Sequence, residues 1–98
     1  MTPSAVKRMV KRVKWLSKID YFIFEFFDDH DIEVSPKVLA ANIGYDAGYA
    51  GKRLRALSTS GLLQQNENDL YELSDLGREF LAGDLATDEV EALDPSEQ

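Results

Sequence analysis

The chain contains no cysteine, so it has neither a disulfide framework nor a thiolate metal site. It has one histidine, His30, set among Asp28, Asp29 and Asp31. A single imidazole beside adjacent aspartates lacks the spacing to converge on one ion, so a solvated acidic loop is expected, with no metal and no cofactor. No apolar run approaches the roughly 20 residues of a membrane span, and no signal peptide is visible. The expectation is a cytoplasmic protein with no membrane partner. There is no phosphate-binding glycine motif and no nucleophile with a base beside it, so no catalytic constellation can be assembled and no small-molecule ligand is evident. Positive charge is also scarce. Eleven Lys and Arg face eighteen Asp and Glu, a net charge of −7, and that sign opposes binding to a polyanion by bulk charge alone.

The charge is unevenly spread. Lys7, Arg8, Lys11, Arg12, Lys14 and Lys18 all precede the first acidic residue, Asp20, whereas no basic residue follows Arg78. Three segments result: a basic N-terminal helix or arm over 1–14, a central domain over 15–83, and an acidic tail over 84–98, partly helical and then disordered past about Asp94. In the first segment Val6, Met9, Val13 and Leu16 recur at helical spacing. Its basic residues Lys7, Arg8, Lys11, Arg12 and Lys14 either track phosphates or lie on the solvated side of a helix packed on a partner subunit. One helix runs on from there, or Ser17 caps a new one through the Ser17-x-x-Asp20 pattern.

The following stretch is rich in aromatics. Trp15, Ile19, Phe22, Ile23, Phe26 and Phe27 fit one helical stripe and are expected in the core. Tyr21 and Phe24 fall off it. A helix apolar on two sides is buried on two sides, and a second copy of the chain would cover the other one. Val6, Met9, Val13, Tyr21 and Phe24 are the candidate homodimer interface.

The densest local information lies between Ser35 and Leu63. Ser35-Pro36 is a helix start, Leu39 and Ile43 its buried side, and Gly44 its stop. Tyr45 fills the turn and Asp46 caps the next helix, in which Ala50, Leu54 and Leu57 make a core face. The small Ala40 allows the two helices to approach closely. Two helices joined this tightly form a helix-turn-helix, whose second helix enters the major groove. Its exposed face carries Gly48, Gly51, Lys52 and Arg55, with Ala47 and Tyr49 at the N-terminal end that reaches base edges. Lys37 and Arg53 flank it. These cations suit phosphate or guanine contacts; read by themselves they are also ordinary solvated charges.

After Gly61, Leu62-Leu63 and Leu70–Leu73 read as two strands around the turn Asn66-Glu67-Asn68-Asp69, a wing. Gln65, Asn66 and Asn68 either donate hydrogen bonds to DNA or serve the turn itself. Ser74 caps a last helix through Leu76, Phe80 and Leu81, closed by Gly83. The predicted fold is mainly α with a small antiparallel β-hairpin: a winged helix-turn-helix with an extra N-terminal helix.

The run SPKVLAANIGY, then RLRAL, GLL and YELSDLGREFLAGDL, with Trp15 upstream, resembles the winged-helix proteins of the haloarchaeal phage-repressor type (phi-H repressor-like) over roughly Trp15 to Leu93. The resemblance implies a DNA-binding transcriptional regulator, with Ala47, Gly48, Gly51, Lys52 and Arg55 on the recognition face. It also implies a reason for the acidity, since a cytoplasm of molar salt favours carboxylate-rich surfaces. The sequence departs from that pattern in its small residues at 47, 48 and 51. The reading as a whole is a repressor-like regulator that binds duplex DNA as a homodimer. The alternative is a winged helix turned protein-interaction module that has lost sequence-specific readout.

Overall fold

A computed structural model describes residues 13–97. The expected arm residues Lys7, Arg8, Lys11 and Arg12 and the expected interface residues Val6 and Met9 lie outside them. Helix α1 spans Lys18–Asp29, α2 Pro36–Ile43 and α3 Ala47–Ser60; strands β1 (Leu63–Gln65) and β2 (Tyr71–Leu73) follow, then α4 (Asp75–Leu81), α5 (Thr87–Glu91) and a 3-10 turn at Pro95–Glu97.

The break before α1 is real. Ser17 is the N-cap in extended conformation, and the Asp20 carboxylate accepts its N–H at 2.8 Å. Aspartate therefore serves where a capping box usually has Glu or Gln. Upstream, Leu16 N–H closes a turn on the Val13 carbonyl.

Helix α1 buries Ile19, Asp20, Ile23, Phe24, Phe26 and Phe27. At 100° per residue that arc runs from Phe26 to Phe24, roughly 160° of the helix circumference. Two expectations change places here. Phe24 is fully buried, edge-on to Phe80 of α4 at 5.1 Å, whereas Phe22 is 41% exposed. The second apolar side of α1 is covered by the chain's own C-terminal helices, so Phe24 is a core residue and not a dimer contact. Val13 is likewise buried in the core, and Tyr21 is half-buried against it.

The hairpin pairs Leu63 with Leu73, Gln64 with Glu72 and Gln65 with Tyr71. Val34, between α1 and α2, adds a single-residue bridge to Tyr71 through two hydrogen bonds of 2.9 and 2.8 Å. One residue has no period, so sequence patterning does not reveal it. The bridge ties the entry of α2 to the wing.

Helix α4 approaches the sheet so closely that a Cβ on Gly77 would run into the Leu62 carbonyl. Glycine is required there by contact, not by dihedral angle. The acidic segment beyond 84 is not a free tail. Val90 is buried, its carbonyl accepts the Trp15 indole N–H at 2.8 Å, and Glu91 accepts Lys14 N–H. Pro95–Glu97, expected to be disordered, forms its 3-10 turn beside α3.

Candidate nucleic-acid interface

Helices α2 and α3 meet through a turn whose residues are each accounted for. Ser35 Oγ accepts Val38 N–H at 3.2 Å and Pro36 opens the helix; Gly44 leaves it in the left-handed conformation at φ 76°. Asp46 then caps α3, accepting Tyr49 N–H at 3.0 Å. These caps satisfy backbone donors that a helix start otherwise leaves open. Ala50, Leu54 and Leu57 are fully buried, which fixes the rotation of α3 and so decides which residues face out.

The outward stripe is Gly48, Lys52, Arg55 and Thr59, at i, i+4, i+7 and i+11 and all exposed. Lys52 and Arg55 have no ion-pair or hydrogen-bond partner among the described residues. Thr59 adds to the expected contacts, and the same periodicity continued one turn further reaches it. Ala47 and Tyr49 are exposed at the start of the helix, and Lys37 is exposed on α2.

Two expected contacts are placed elsewhere. Gly51 is buried, and a Cβ there would stand 3.5 Å from Pro36. It lies on the flank where α3 packs on the start of α2, about 100° from Ala50 and not on the outward stripe. Arg53 turns inward. Its Nε donates to Asp20 Oδ1 at 3.0 Å, one Nη to Asp20 Oδ2 at 2.6 Å and the same Nη to the Trp15 carbonyl at 3.4 Å. Asp20 is completely buried. The hydrogen bonds that Arg53 donates to Asp20 hold its guanidinium above its ordinary pKa, against the opposing effect of burial. Bidentate pairing of this kind is a fork-to-carboxylate match that lysine cannot make. A charge so engaged is not available to a phosphate.

The wing turns much of its polarity on itself, although the exposed Asn68 side chain has no hydrogen-bond partner among the described residues. Asn66 Oδ1 accepts the N–H groups of Asn68 and Leu70, an Asx turn that supports Asp69 at φ 61°. Gln65 donates to Asp69 at 3.3 Å and Gln64 to Glu72 at 3.2 Å. With Glu67, Asp69 and Glu72 at this end, the wing is acidic. His30, at the end of α1, takes no part in the stripe. It stacks on Phe26 at 4.6 Å, with Nδ1 3.1 Å from the Phe26 carbonyl oxygen.

Three helices, a strand-like bridge, a two-stranded wing and an outward stripe on the second helix of the turn define a winged helix-turn-helix domain. The sequence signature of the winged helix-turn-helix phage repressors matches residues 9–93. The chain belongs to that family. Comparison with curated proteins and with solved structures gives no match. Among the described residues no helix is long and apolar enough to cross a membrane.

Proposed function

We propose that this protein is a transcriptional regulator of the repressor kind, in the haloarchaeal phi-H manner, that acts on duplex DNA in the cytoplasm with α3 in the major groove. One observation carries the reading: a helix-turn-helix whose second helix presents Gly48, Lys52, Arg55 and Thr59 outward, with both cations unpaired among the described residues. Arg55 suits bidentate contact with guanine, Lys52 a guanine or a phosphate, and Gly48 lets the helix start approach the groove closely. Binding as a homodimer belongs to the same proposal, because a two-fold protein matches a palindromic operator. Its interface would exclude Val13 and Phe24, which the chain buries in its own core.

The acidic wing and the engagement of Arg53 with Asp20 favour a second reading, a protein-interaction module on the same fold. Fluorescence anisotropy separates the two. Wild-type protein is titrated against duplex from the region upstream of its own coding sequence and against scrambled duplex, over a range of potassium chloride. The regulator prefers its own region, and Lys52→Glu with Arg55→Glu abolishes that binding while the protein stays folded. Absence of binding to either duplex at any salt would reject the regulator.

A further inference from the structure

The helix-turn-helix itself has few cations to hold a DNA backbone. On the helix-turn-helix the unengaged ones are Lys37, Lys52 and Arg55, since Arg53 is committed to Asp20 and every charged residue of the wing is an acid. At most three phosphate contacts from these side chains contribute a salt slope of no more than roughly −2.7 per copy, at about −0.9 each. With so few cations of its own, the helix-turn-helix has reason to position the duplex through neutral donors as well. The structure offers a pair of them in one place.

Phe22 of α1, Tyr45 in the turn and Tyr49 in the first turn of α3 form a continuous row of rings. Centroids are 5.9 Å apart from Phe22 to Tyr45 and 6.3 Å from Tyr45 to Tyr49, each pair tilted by 46°. Phe22 and Tyr49 are among the few large hydrophobic side chains left substantially exposed in the described residues. Neither phenol hydroxyl has a hydrogen-bond partner within the described residues, and no buried side-chain oxygen there lacks one, so the half-buried Tyr45 brings its hydroxyl to the surface. Tilted ring contacts restrict the aromatic planes, which lowers the ordering cost of any bond the hydroxyls then make. The row adjoins the N-terminal end of α3, where Ala47 and Gly48 leave room for close approach. In a helix-turn-helix complex the first helix crosses the DNA backbone as the second enters the groove. That geometry carries the turn past a phosphate strand.

We propose that Tyr45 and Tyr49, braced by Phe22, donate hydrogen bonds to backbone phosphates and are the positioning contacts that fix the register of α3 on DNA. The proposal rests on the duplex-binding reading above and assigns to that site two contacts that carry no charge. Hydroxyl donors to phosphate position a protein without reading sequence. Because they replace no counterion, they add nothing to the salt slope and persist at high salt.

The test uses the full chain with Tyr45→Phe, Tyr49→Phe and both together, beside Lys52→Gln with Arg55→Gln as the cationic comparison. Affinity for own-region and scrambled duplex is measured by anisotropy at several potassium chloride concentrations, with thermal melts for each variant. Each phenylalanine variant is expected to lose about tenfold in affinity, the scale of one bond to a charged group. The loss falls equally on both duplexes, with an unchanged salt slope and an unchanged melt. The cationic variant flattens the slope by about 0.9 for each phosphate it no longer neutralises. Wild-type affinity in the phenylalanine variants, with binding lost in the cationic one, overturns this proposal and leaves the regulator standing. A loss confined to the own-region duplex makes the hydroxyls base readers and also overturns it. A lowered melt makes them structural and overturns it as well. If the wild-type protein binds neither duplex, both readings fall.

Discussion

Replacing Arg53 by methionine isolates the contribution of Asp20, the one fully buried charge among the described residues. Asp20 is without solvent exposure, and its carboxylate receives two bonds from Arg53 and one from the Ser17 N–H. In Arg53→Met, Oδ1 loses its donor, Oδ2 keeps only the amide, and the negative charge stays buried. Removing one partner of such a pair costs about 3–5 kcal/mol. A domain of this size has only about 5–15 kcal/mol in total. At about 4–8 °C per kcal/mol the melting point should fall by more than about 12 °C. Replacing both partners, Asp20→Leu with Arg53→Met, removes the stranded charge and should restore most of the loss. A deficit of about 1 kcal/mol remains, because Asp20 also caps α1. Urea unfolding of wild type, both single variants and the double closes the cycle, and the coupling energy should reach about 2 kcal/mol or more. A coupling near zero, or an Arg53→Met cost under about 1 kcal/mol, would reduce the pair to an ordinary surface contact. Full stability with lost DNA affinity would return Arg53 to the recognition face. The pH dependence has a definite sign. A guanidinium held above its ordinary pKa in the fold contributes its full stabilisation below the unfolded value and loses it only as pH rises through the raised one. The arginine's share therefore fades only in strongly alkaline solution.

Three further substitutions discriminate between packing, readout and assembly. Gly77→Ala should cost at least about 3 kcal/mol in a thermal melt, since the added methyl meets the Leu62 carbonyl and presses the Leu73 side chain at 3.0 Å. Gly51→Ala should instead gain up to about 1 kcal/mol, because its methyl finds ordinary contact distance to Pro36 and alanine favours the helix. DNA affinity should barely change in it; a large loss would put residue 51 back on the reading face. Phe24→Ala should lower stability by about 3–5 kcal/mol without altering sedimentation of the folded protein, as expected of a ring packed on Phe80 inside one chain. A variant that stays stable but changes oligomeric state would make Phe24 an interface residue after all.

What the chain encodes locally was legible without a structure. Ser35-Pro36, Gly44, Asp46 and Ser74 each act through atoms within a few residues, so caps and stops could be read directly, and all four take the predicted role. The spacing of Ala50, Leu54 and Leu57 set the rotation of α3 and hence the exposure of Lys52 and Arg55. Asn66 and its neighbours declared a turn, and the turn uses them. Tertiary structure alone decided the rest, because the deciding partner lies far along the chain. Phe24 is core because Phe80 stands opposite, 56 positions later; Arg53 is withdrawn from solvent because Asp20 waits beneath it. Gly51 faces α2 since the crossing of two helices, not the period of one, sets what lies on its flank. Val34 joins the sheet through a lone bridge, and Trp15 anchors the acidic C-terminal segment through Val90. A helical period tells how residues on one helix face relative to one another; which face meets protein and which meets water depends on where the other elements come to rest.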